Sequence, residues 1–384
     1  MTIGIFANQI ILEKAGVGRY AYHLVKEILK ADKKNHYILL ANFVRKGKQR
    51  RAALEQFVKS TGNTNTEIFV TRMPDAWRDW LYGSNFPVSK LYPKKIDLFF
   101  ALFPTNIPKN GWEKEFCVIH DLVYEKYPET MGKKFVSYYR ERTQNAVLKS
   151  RVIFCDSRST QDDLVGFLPV AKGKAEVVYP GPTELNQARA TLPEGLKNKR
   201  YILNVGTLEP RKNLENLLRG YAGLPERLKV QYPLVLVGAK GWQEGSIFKT
   251  VQEENLTRFV KFLGFVPDET LSKLYAEAKL FVYPSLYEGF GLPVLEAMQY
   301  ETPVITSNVS SLPEVAGRGA IYIDPLAPNE ITRAIQKVLE GKADLNELKS
   351  AAAKHIAQFS WEKSAQKVIS TFDRFRDDAK SAKI

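Results

Sequence analysis

Apolar residues in this chain fall into two alternating patterns. Short unbroken runs, such as Ile-Leu-Leu-Ala at 38–41 and Leu-Val-Leu-Val at 234–237, read as strands buried on both faces. Between these runs, apolar positions three and four apart mark helices that cover a sheet. The first half of the chain predicts strands near 3–7, 36–42, 67–70, 97–101, 116–120, 151–155 and 175–179, with helices near 16–31, 48–60, 132–149 and 157–167. Tyr179-Pro-Gly-Pro-Thr-Glu-Leu185 then breaks both periods, because its prolines and glycine continue neither element. The alternation restarts at Tyr201-Ile-Leu-Asn-Val-Gly206, with further strands near 233–237, 259–263, 280–283, 303–306 and 320–323. Helices near 212–222, 246–255, 268–277, 292–300 and 329–340 separate them, and two helical segments near 344–357 and 361–377 close the chain.

This order predicts an α/β protein of two Rossmann-like, doubly wound domains facing across a cleft. A chain of 384 residues also exceeds what one hydrophobic core serves. The expected domains span 1–183 and 184–360.

Composition narrows the class. With 44% hydrophobic and 26% charged residues, the chain is neither disordered nor fibrous. It has no apolar run long enough to cross a membrane as a helix, and its first residues read as a strand and not as a signal peptide. Its two cysteines, Cys117 and Cys155, lie in apolar runs and read as inert core thiols. A cytoplasmic protein is expected.

Charge is uneven. Residues 1–183 hold 29 Lys+Arg against 18 Asp+Glu, whereas 184–384 hold 27 against 24. The basic half suits a polyanionic partner, such as an anionic membrane surface or a phosphorylated acceptor, or is a well-solvated basic surface. Nucleic acid fits the charge alone, but no nucleic-acid-binding module occurs, and none is expected as a partner. The basic run Arg45-Lys-Gly-Lys-Gln-Arg-Arg51 precedes Trp77, Trp80, Leu81, Tyr82 and Phe86. That composition fits an interfacial membrane contact or a buried acceptor-loop cluster.

Candidate chemistry lies just after the strands. Phe281-Val-Tyr-Pro284 leads into Ser-Leu-Tyr-Glu288-Gly-Phe290-Gly291-Leu292-Pro293, and an apolar helix follows. Glycines allow a tight turn and close ligand approach, Pro293 suits a first helical turn, and the helix start offers free N–H groups to a diphosphate. Glu288 before the turn and Glu296 inside the helix can accept hydrogen bonds from sugar hydroxyls. Arg211 and Lys212 stand where a strand yields to a helix, where positive charge opposes the helix dipole and so hints at an anionic ligand. His120, followed by Asp121, should emerge at the carboxyl edge of its sheet. His23, His36 and His355 carry no such placement. Gly16-Val17-Gly18-Arg-Tyr-Ala21 matches a dinucleotide fingerprint, but it stands too far from the first strand, and the second strand ends in Asn42 where a ribose-binding acid belongs. The same residues suit a loop whose amides approach phosphate.

The segment Glu288-Gly-Phe-Gly-Leu-Pro-Val-Leu-Glu296 resembles the Glu-x7-Glu motif of family 4 retaining glycosyltransferases, which have the GT-B fold. Other landmarks follow in order. Val205-Gly206-Thr-Leu-Glu-Pro-Arg211-Lys212-Asn213 is similar to the loop after the first strand of the family's second domain. Gly264-Phe-Val266 resembles its base-binding turn, His120-Asp121 its donor-sugar histidine, and Gly16-Val17-Gly18 its glycine loop. The end of the chain, from Phe359-Ser-Trp361, resembles the helix (here about 361–384) that returns to the first domain.

The resemblance implies metal-independent transfer of a hexose from a nucleoside-diphosphate sugar, bound by the domain at 184–360, to an acceptor bound by the domain at 1–183. That sugar is a substrate, and no cofactor is expected. It places Val266 at the base, Glu296 at the ribose and Glu288 with the backbone of Phe290, Gly291 and Leu292 at the transferred sugar. His120, Arg211, Lys212 and Glu288 are the expected catalytic set, with Gly206 and Asp121 beside the substrate. No metal-ligating cluster occurs in the sequence, so protein groups would stabilise the leaving diphosphate. The pattern is most similar to bacterial mannosyltransferase-type members, which makes GDP-mannose the first expected donor and UDP-hexoses the next. A saccharide or lipid-linked acceptor in envelope or polysaccharide synthesis follows from the same likeness. A nucleotide-sugar epimerase of similar fold, or a non-catalytic nucleotide-sugar-binding protein, is the alternative.

Overall fold

The computed structural model describes residues 1–12, 16–92, 94–183, 191–196, 200–241 and 245–381, excepting the side chains of 12 and 377–381. The chain divides into two compact units, Met1–Gly181 with Phe359–Ile384, and Pro182–Gln358. These junctions fall two residues before the expected 183 and 360. Phe359 packs its ring on Tyr179, which ties it to the first unit. Residues 184–190, at the expected boundary, and 382–384, at the end of the expected last helix, lie outside the described residues.

Unit 1 holds β1 (Thr2–Phe6), β2 (His36–Asn42), β3 (Thr66–Thr71), β4 (Leu98–Ala101), β5 (Glu115–Ile119), β6 (Val152–Cys155) and β7 (Ala175–Val177). Its helices are α1 (Asn8–Leu12), α2 (Val17–Ala31), α3 (Gly47–Ser60), α4 (Asp75–Gly83), α5 (Val123–Lys126), α6 (Lys133–Lys149) and α7 (Arg158–Phe167). All seven strands pair in parallel, in the order β3-β2-β1-β4-β5-β6-β7. The central strands β4, β5 and β6 are buried along their whole length, as a sheet covered on both faces requires. In α2, Tyr20, Ala21, Leu24, Val25, Ile28 and Leu29 form the buried stripe at three- and four-residue spacing. Ser157 starts α7 by accepting the Thr160 N–H at 3.0 Å.

Unit 2 holds β8 (Ile202–Val205), β9 (Leu234–Val237), β10 (Val260–Gly264), β11 (Leu280–Tyr283), β12 (Val304–Ser307) and β13 (Ala320–Ile323). They form a parallel sheet in the order β10-β9-β8-β11-β12-β13. Its helices are α8 (Leu214–Ala222), α9 (Glu226–Gln231), α10 (Gly245–Glu253), α11 (Asp268–Glu277), α12 (Leu292–Gln299), α13 (Leu312–Ala316), α14 (Pro328–Leu339) and α15 (Leu345–Ile356). One core joins α8 and α14 to the sheet through residues such as Leu217, Leu218, Ile331 and Ile335.

The last helix, α16 (Trp361–Ser381), belongs to unit 1. Phe372 meets Phe100 and Phe116 at ring-centroid distances of 5.6 and 5.8 Å, and Phe375 meets Phe116 at 5.0 Å. Trp361 packs edge-on to Tyr20 and stacks on His23. Both cysteines are buried and free. Among the described residues, no helix is long and apolar enough to cross a membrane. Of the aromatic segment near 77–86, Tyr82 is buried, but Trp77 and Trp80 on α4 are each 68% exposed. A wholly buried acceptor-loop cluster is thereby ruled out.

Candidate active site

In an open parallel sheet, ligands settle beyond the carboxyl ends of strands where the strand order reverses. In unit 2 that reversal lies between β8 and β11. Arg211 and Lys212 follow β8 in a 3₁₀ turn, Pro210–Lys212, and Glu288 follows β11. Leu286 N–H donates to the Arg211 carbonyl at 2.9 Å and joins the two connections.

The three side chains meet. Glu288 Oε2 accepts from Arg211 Nη1 at 2.6 Å, and Oε1 accepts from Lys212 Nζ at 2.7 Å and from the Tyr283 hydroxyl at 2.9 Å. Arg211 also donates through Nε and Nη2 to Glu209 Oε1, at 3.1 and 2.7 Å. Lys212 is only 9% exposed, and its ammonium also donates to Tyr283. Two cations and two carboxylates thus form one buried, locally neutral network. Burial alone would raise the Glu288 carboxyl, but Arg211 and Lys212 outweigh it and hold its pKa at about 2. Burial, then the neighbouring Arg211 charge, lowers Lys212 below the ordinary lysine value in spite of Glu288.

Backbone geometry supports this network. Gly291 caps α12 at φ 108°, a left-handed conformation that suits glycine, and a Cβ there would lie 2.9 Å from Leu312 Cδ2. Pro293 falls in the first turn of α12, where it loses no hydrogen bond. Ser311 Oγ donates to the carbonyls of Glu288 and Phe290, and the Glu288 N–H donates to Ser310 Oγ, so the turn into α12 is held from β12's loop. Gly206, after β8, lies against the Lys212 stem. Gly238, after β9, runs so near Gly206 that a Cβ would stand 1.9 Å from the Gly206 carbonyl oxygen.

Glu296 is buried and accepts the Tyr275 hydroxyl at 3.0 Å, a partner set distinct from that of Glu288. Phe290 is buried and Leu292 half-buried. Gly264 takes φ 65° ahead of Phe265, which is 57% exposed, and Val266 is half-buried behind it.

In unit 1, His120 emerges beyond β5 but is buried, with both ring nitrogens engaged. Nδ1 lies 2.8 Å from Asp156 Oδ2, and Nε2 lies 2.9 Å from the Leu102 carbonyl. Burial opposes charge on the ring, but the charge and hydrogen bond of Asp156, with the Leu102 carbonyl, raise its pKa above the ordinary value. Burial raises Asp156 as well, against the pull of His120. With an acceptor at each nitrogen, the geometry favours the proton on the imidazole. Both ring nitrogens of His120 are thus held by partners within unit 1. Asp121 accepts the Val123 N–H at 3.1 Å and opens α5. Gly16 caps α2 at φ 48°, while Val17 and Gly18 are its first helical residues, so the expected glycine loop is a helix start.

Sequence reasoning missed Glu209, Tyr283, Ser310, Ser311 and Asp156. Asp156 carried the same signal as His120, a polar residue directly after an apolar run. The serines carried none. Among the described residues, no group of three or more His, Cys, Asp or Glu could hold a metal ion.

Two parallel, helix-covered sheets of this kind occur in solved glycosyltransferase structures. Sucrose-phosphate synthase from Thermosynechococcus elongatus superposes with a TM-score of 0.73 over 98% of this chain and 100% of that one, at 20% identity. Anabaena Alr3699/HepE in complex with UDP and glucose gives 0.69 over 97% and 100%, at 19% identity. The architecture is the GT-B fold. Residues 191–355 match the family Glycosyl transferases group 1. The chain therefore carries a glycosyl transferases group 1 domain. It is 29% identical to O-antigen chain mannosyltransferase B of Escherichia coli, over 96% of this chain and 98% of that protein. It is 33% identical to the serotype-specific mannosyltransferase WbdA of Escherichia coli over 70% of its own length, but spans only 34% of WbdA.

Proposed function

We propose that this glycosyltransferase moves mannose from GDP-mannose to a saccharide or lipid-linked acceptor in O-antigen or related polysaccharide synthesis, with retention of configuration and without a metal. The observation that carries the reading is the network of Arg211, Lys212 and Glu288 at the strand-order reversal of unit 2. Buried cations there can take up the charge that develops on a departing diphosphate. Because both are already paired with carboxylates, donor binding exchanges partners within a formed site. Arg211 and Lys212 turn to phosphate, and Glu288 turns to the hydroxyls of the transferred sugar. The amides of Phe290, Gly291 and Leu292 add donors at the start of α12. Glu296 serves the ribose and the Val266 backbone the base, while Gly206 leaves room beside Lys212.

Mannose is favoured by the names of the relatives, one of which aligns over nearly its whole length. The UDP and glucose named for Anabaena HepE make UDP-glucose the first competitor. A donor panel of GDP-mannose, UDP-glucose, UDP-galactose and UDP-N-acetylglucosamine, read by nucleotide release with and without EDTA, tests donor and metal together. Turnover confined to a UDP-sugar, or abolished by EDTA, overturns the corresponding part. An inverted anomeric signal in the product overturns retention. Sugar-nucleotide interconversion without an acceptor would identify the epimerase instead.

The reading includes peripheral attachment to an anionic cytoplasmic membrane face. The excess of basic residues in 1–183 and the exposure of Trp77 and Trp80 on α4 support it. Flotation with phosphatidylglycerol vesicles but not with phosphatidylcholine vesicles is the expected result, and flotation with neither refutes attachment.

A further inference from the structure

Unit 1 also reverses its strand order, between β1 and β4. The residues beyond those two strands have no role in the reading above. Gln9 lies in α1 just past β1, and Asn106 lies in the 3₁₀ turn Pro104–Asn106 just past β4. The two side chains are 9% and 5% exposed. Asn8 fastens α1 to the end of β2, donating to the Asn42 carbonyl at 3.0 Å and accepting the Asn42 N–H at 2.7 Å. The position of Gln9 is thus set by its neighbour.

Gln9 and Asn106 satisfy each other poorly. Gln9 Nε2 reaches Asn106 Oδ1 at 3.4 Å, and the Thr105 hydroxyl stands 3.5 Å from the same oxygen. Gln9 Oε1 and Asn106 Nδ2 are buried with no hydrogen-bond partner. Natural proteins rarely leave such atoms unpaired without a ligand, an ordered water or a functional reason. The leftovers are complementary, one acceptor beside one donor. A single hydroxyl fills both, donating to Oε1 and accepting from Nδ2, whereas a phosphate dianion offers nothing to Oε1. The turn also adjoins His120: Phe103 stacks on its ring at 5.8 Å, and Leu102 accepts its Nε2 proton.

We infer that Gln9 and Asn106 bind one hydroxyl of the acceptor saccharide at the strand-order reversal of unit 1. The inference rests on the glycosyl-transfer reading, with the acceptor in unit 1, and adds to it the two residues that hold one of the acceptor's hydroxyls. Gln9 has three side-chain torsions, so its Oε1 meets an entering hydroxyl by rotamer change.

The test uses the full chain, with methyl α-D-mannopyranoside and its 2-, 3-, 4- and 6-deoxy analogues as probes and saturation-transfer NMR titration as the readout. Gln9→Leu and Asn106→Leu each weaken binding of the parent glycoside by about tenfold, the loss of one well-made hydrogen bond with its partner left buried. One deoxy analogue binds weakly to the wild-type protein and is indifferent to both substitutions, because it lacks the hydroxyl they hold. Melting temperature stays level or rises, since each leucine removes an unpaired polar atom. Wild-type affinity in both variants overturns the inference and leaves an ordered water as the occupant. A uniform loss across all analogues with a fall in melting temperature shows a structural role and overturns it too, as does failure of the wild-type protein to bind any glycoside. Thermal shift with GDP and UDP runs in parallel. If neither nucleotide stabilises the chain, the glycosyl-transfer reading itself fails; if one does and the glycoside result is negative, only the acceptor site falls.

Discussion

Glu288 accepts three donors on two oxygens in a site from which water is largely excluded, and that makes its cations hard to replace. Arg211→Met leaves Glu209 and Glu288 buried with one cation between them. Breaking such a pair typically costs about 3–5 kcal/mol. Denaturant unfolding of the variant should show a loss of that order, and donor turnover should fall at least a hundredfold. A variant with unchanged stability and turnover would remove Arg211 from the site. A second buried carboxylate behaves in the opposite sense. Glu115, at the start of β5, receives one hydrogen bond, from Trp112 N–H at 2.8 Å, and its Oε2 has no partner. Burial pushes its pKa from 4.5 up to about 7. The folded protein therefore holds a proton that the unfolded chain has already released, and stability from this group falls as pH rises from about 4.5 through 7. The shift corresponds to roughly 3 kcal/mol. Glu115→Gln should melt higher than wild type at pH 8 and match it near pH 4.5, whereas equal melting at both values would contradict the assignment. At this scale the sequence disclosed residue types and not their partnerships. Arg211, Lys212 and Glu288 stood out singly, yet a contact across 76 positions is set by the sheet order and leaves no local trace. The engagement of both His120 nitrogens was hidden for the same reason, since Leu102 contributes only a carbonyl.

Elements of three or more turns were legible because their apolar stripe repeats often enough to be seen. Helices α2, α6, α7 and α14 and, among the described residues, all thirteen strands lie within a few residues of where the pattern puts them. The helices α1, α4, α5, α9 and α13 were not anticipated; all but α4 have six residues or fewer, too few for a helical period to show. Two of these carry site architecture. α1 presents Gln9, and α13 supplies Leu312, whose side chain fills the space where Gly291 has none. The start of α12 depends on that fit. Gly291→Ala forces a Cβ into a left-handed position and against Leu312, at a cost of about 1–3 kcal/mol. The variant should remain folded by circular dichroism but lose transfer activity by at least tenfold, with Leu312→Ala in the same chain restoring part of it. No rescue by the double variant would show that strain at Gly291, and not the Leu312 contact, controls the turn.

For the whole molecule, the sequence supplied the class, two parallel α/β units, because strand and helix patterns alternate without interruption. It did not supply the strand order, since parallel strands of similar composition carry no register of their own. Nor did periodicity alone assign the last helix to the first unit. Unit 2 is one continuous stretch, Pro182–Gln358, whereas unit 1 needs Phe359–Ile384 to complete it. A chain ended after Gln358 loses Phe372 and Phe375 from over Phe100 and Phe116, and it uncovers Tyr20 and His23. Limited proteolysis should then degrade unit 1 while a fragment near 182–358 persists and still gives a thermal shift with nucleotide. Equal resistance of both units would show that α16 is dispensable.

The return of α16 to the first unit also sets a timetable on the ribosome. Every strand of unit 1 emerges before any of unit 2, yet the helix that covers Phe100 and Phe116 comes last. At ordinary elongation rates the intervening unit occupies on the order of ten seconds or more. Throughout that interval the earlier sheet carries an uncovered aromatic face while the later unit is free to fold. The unit synthesised first is thus the one finished last, and nascent unit 1 is where a chaperone would find its client.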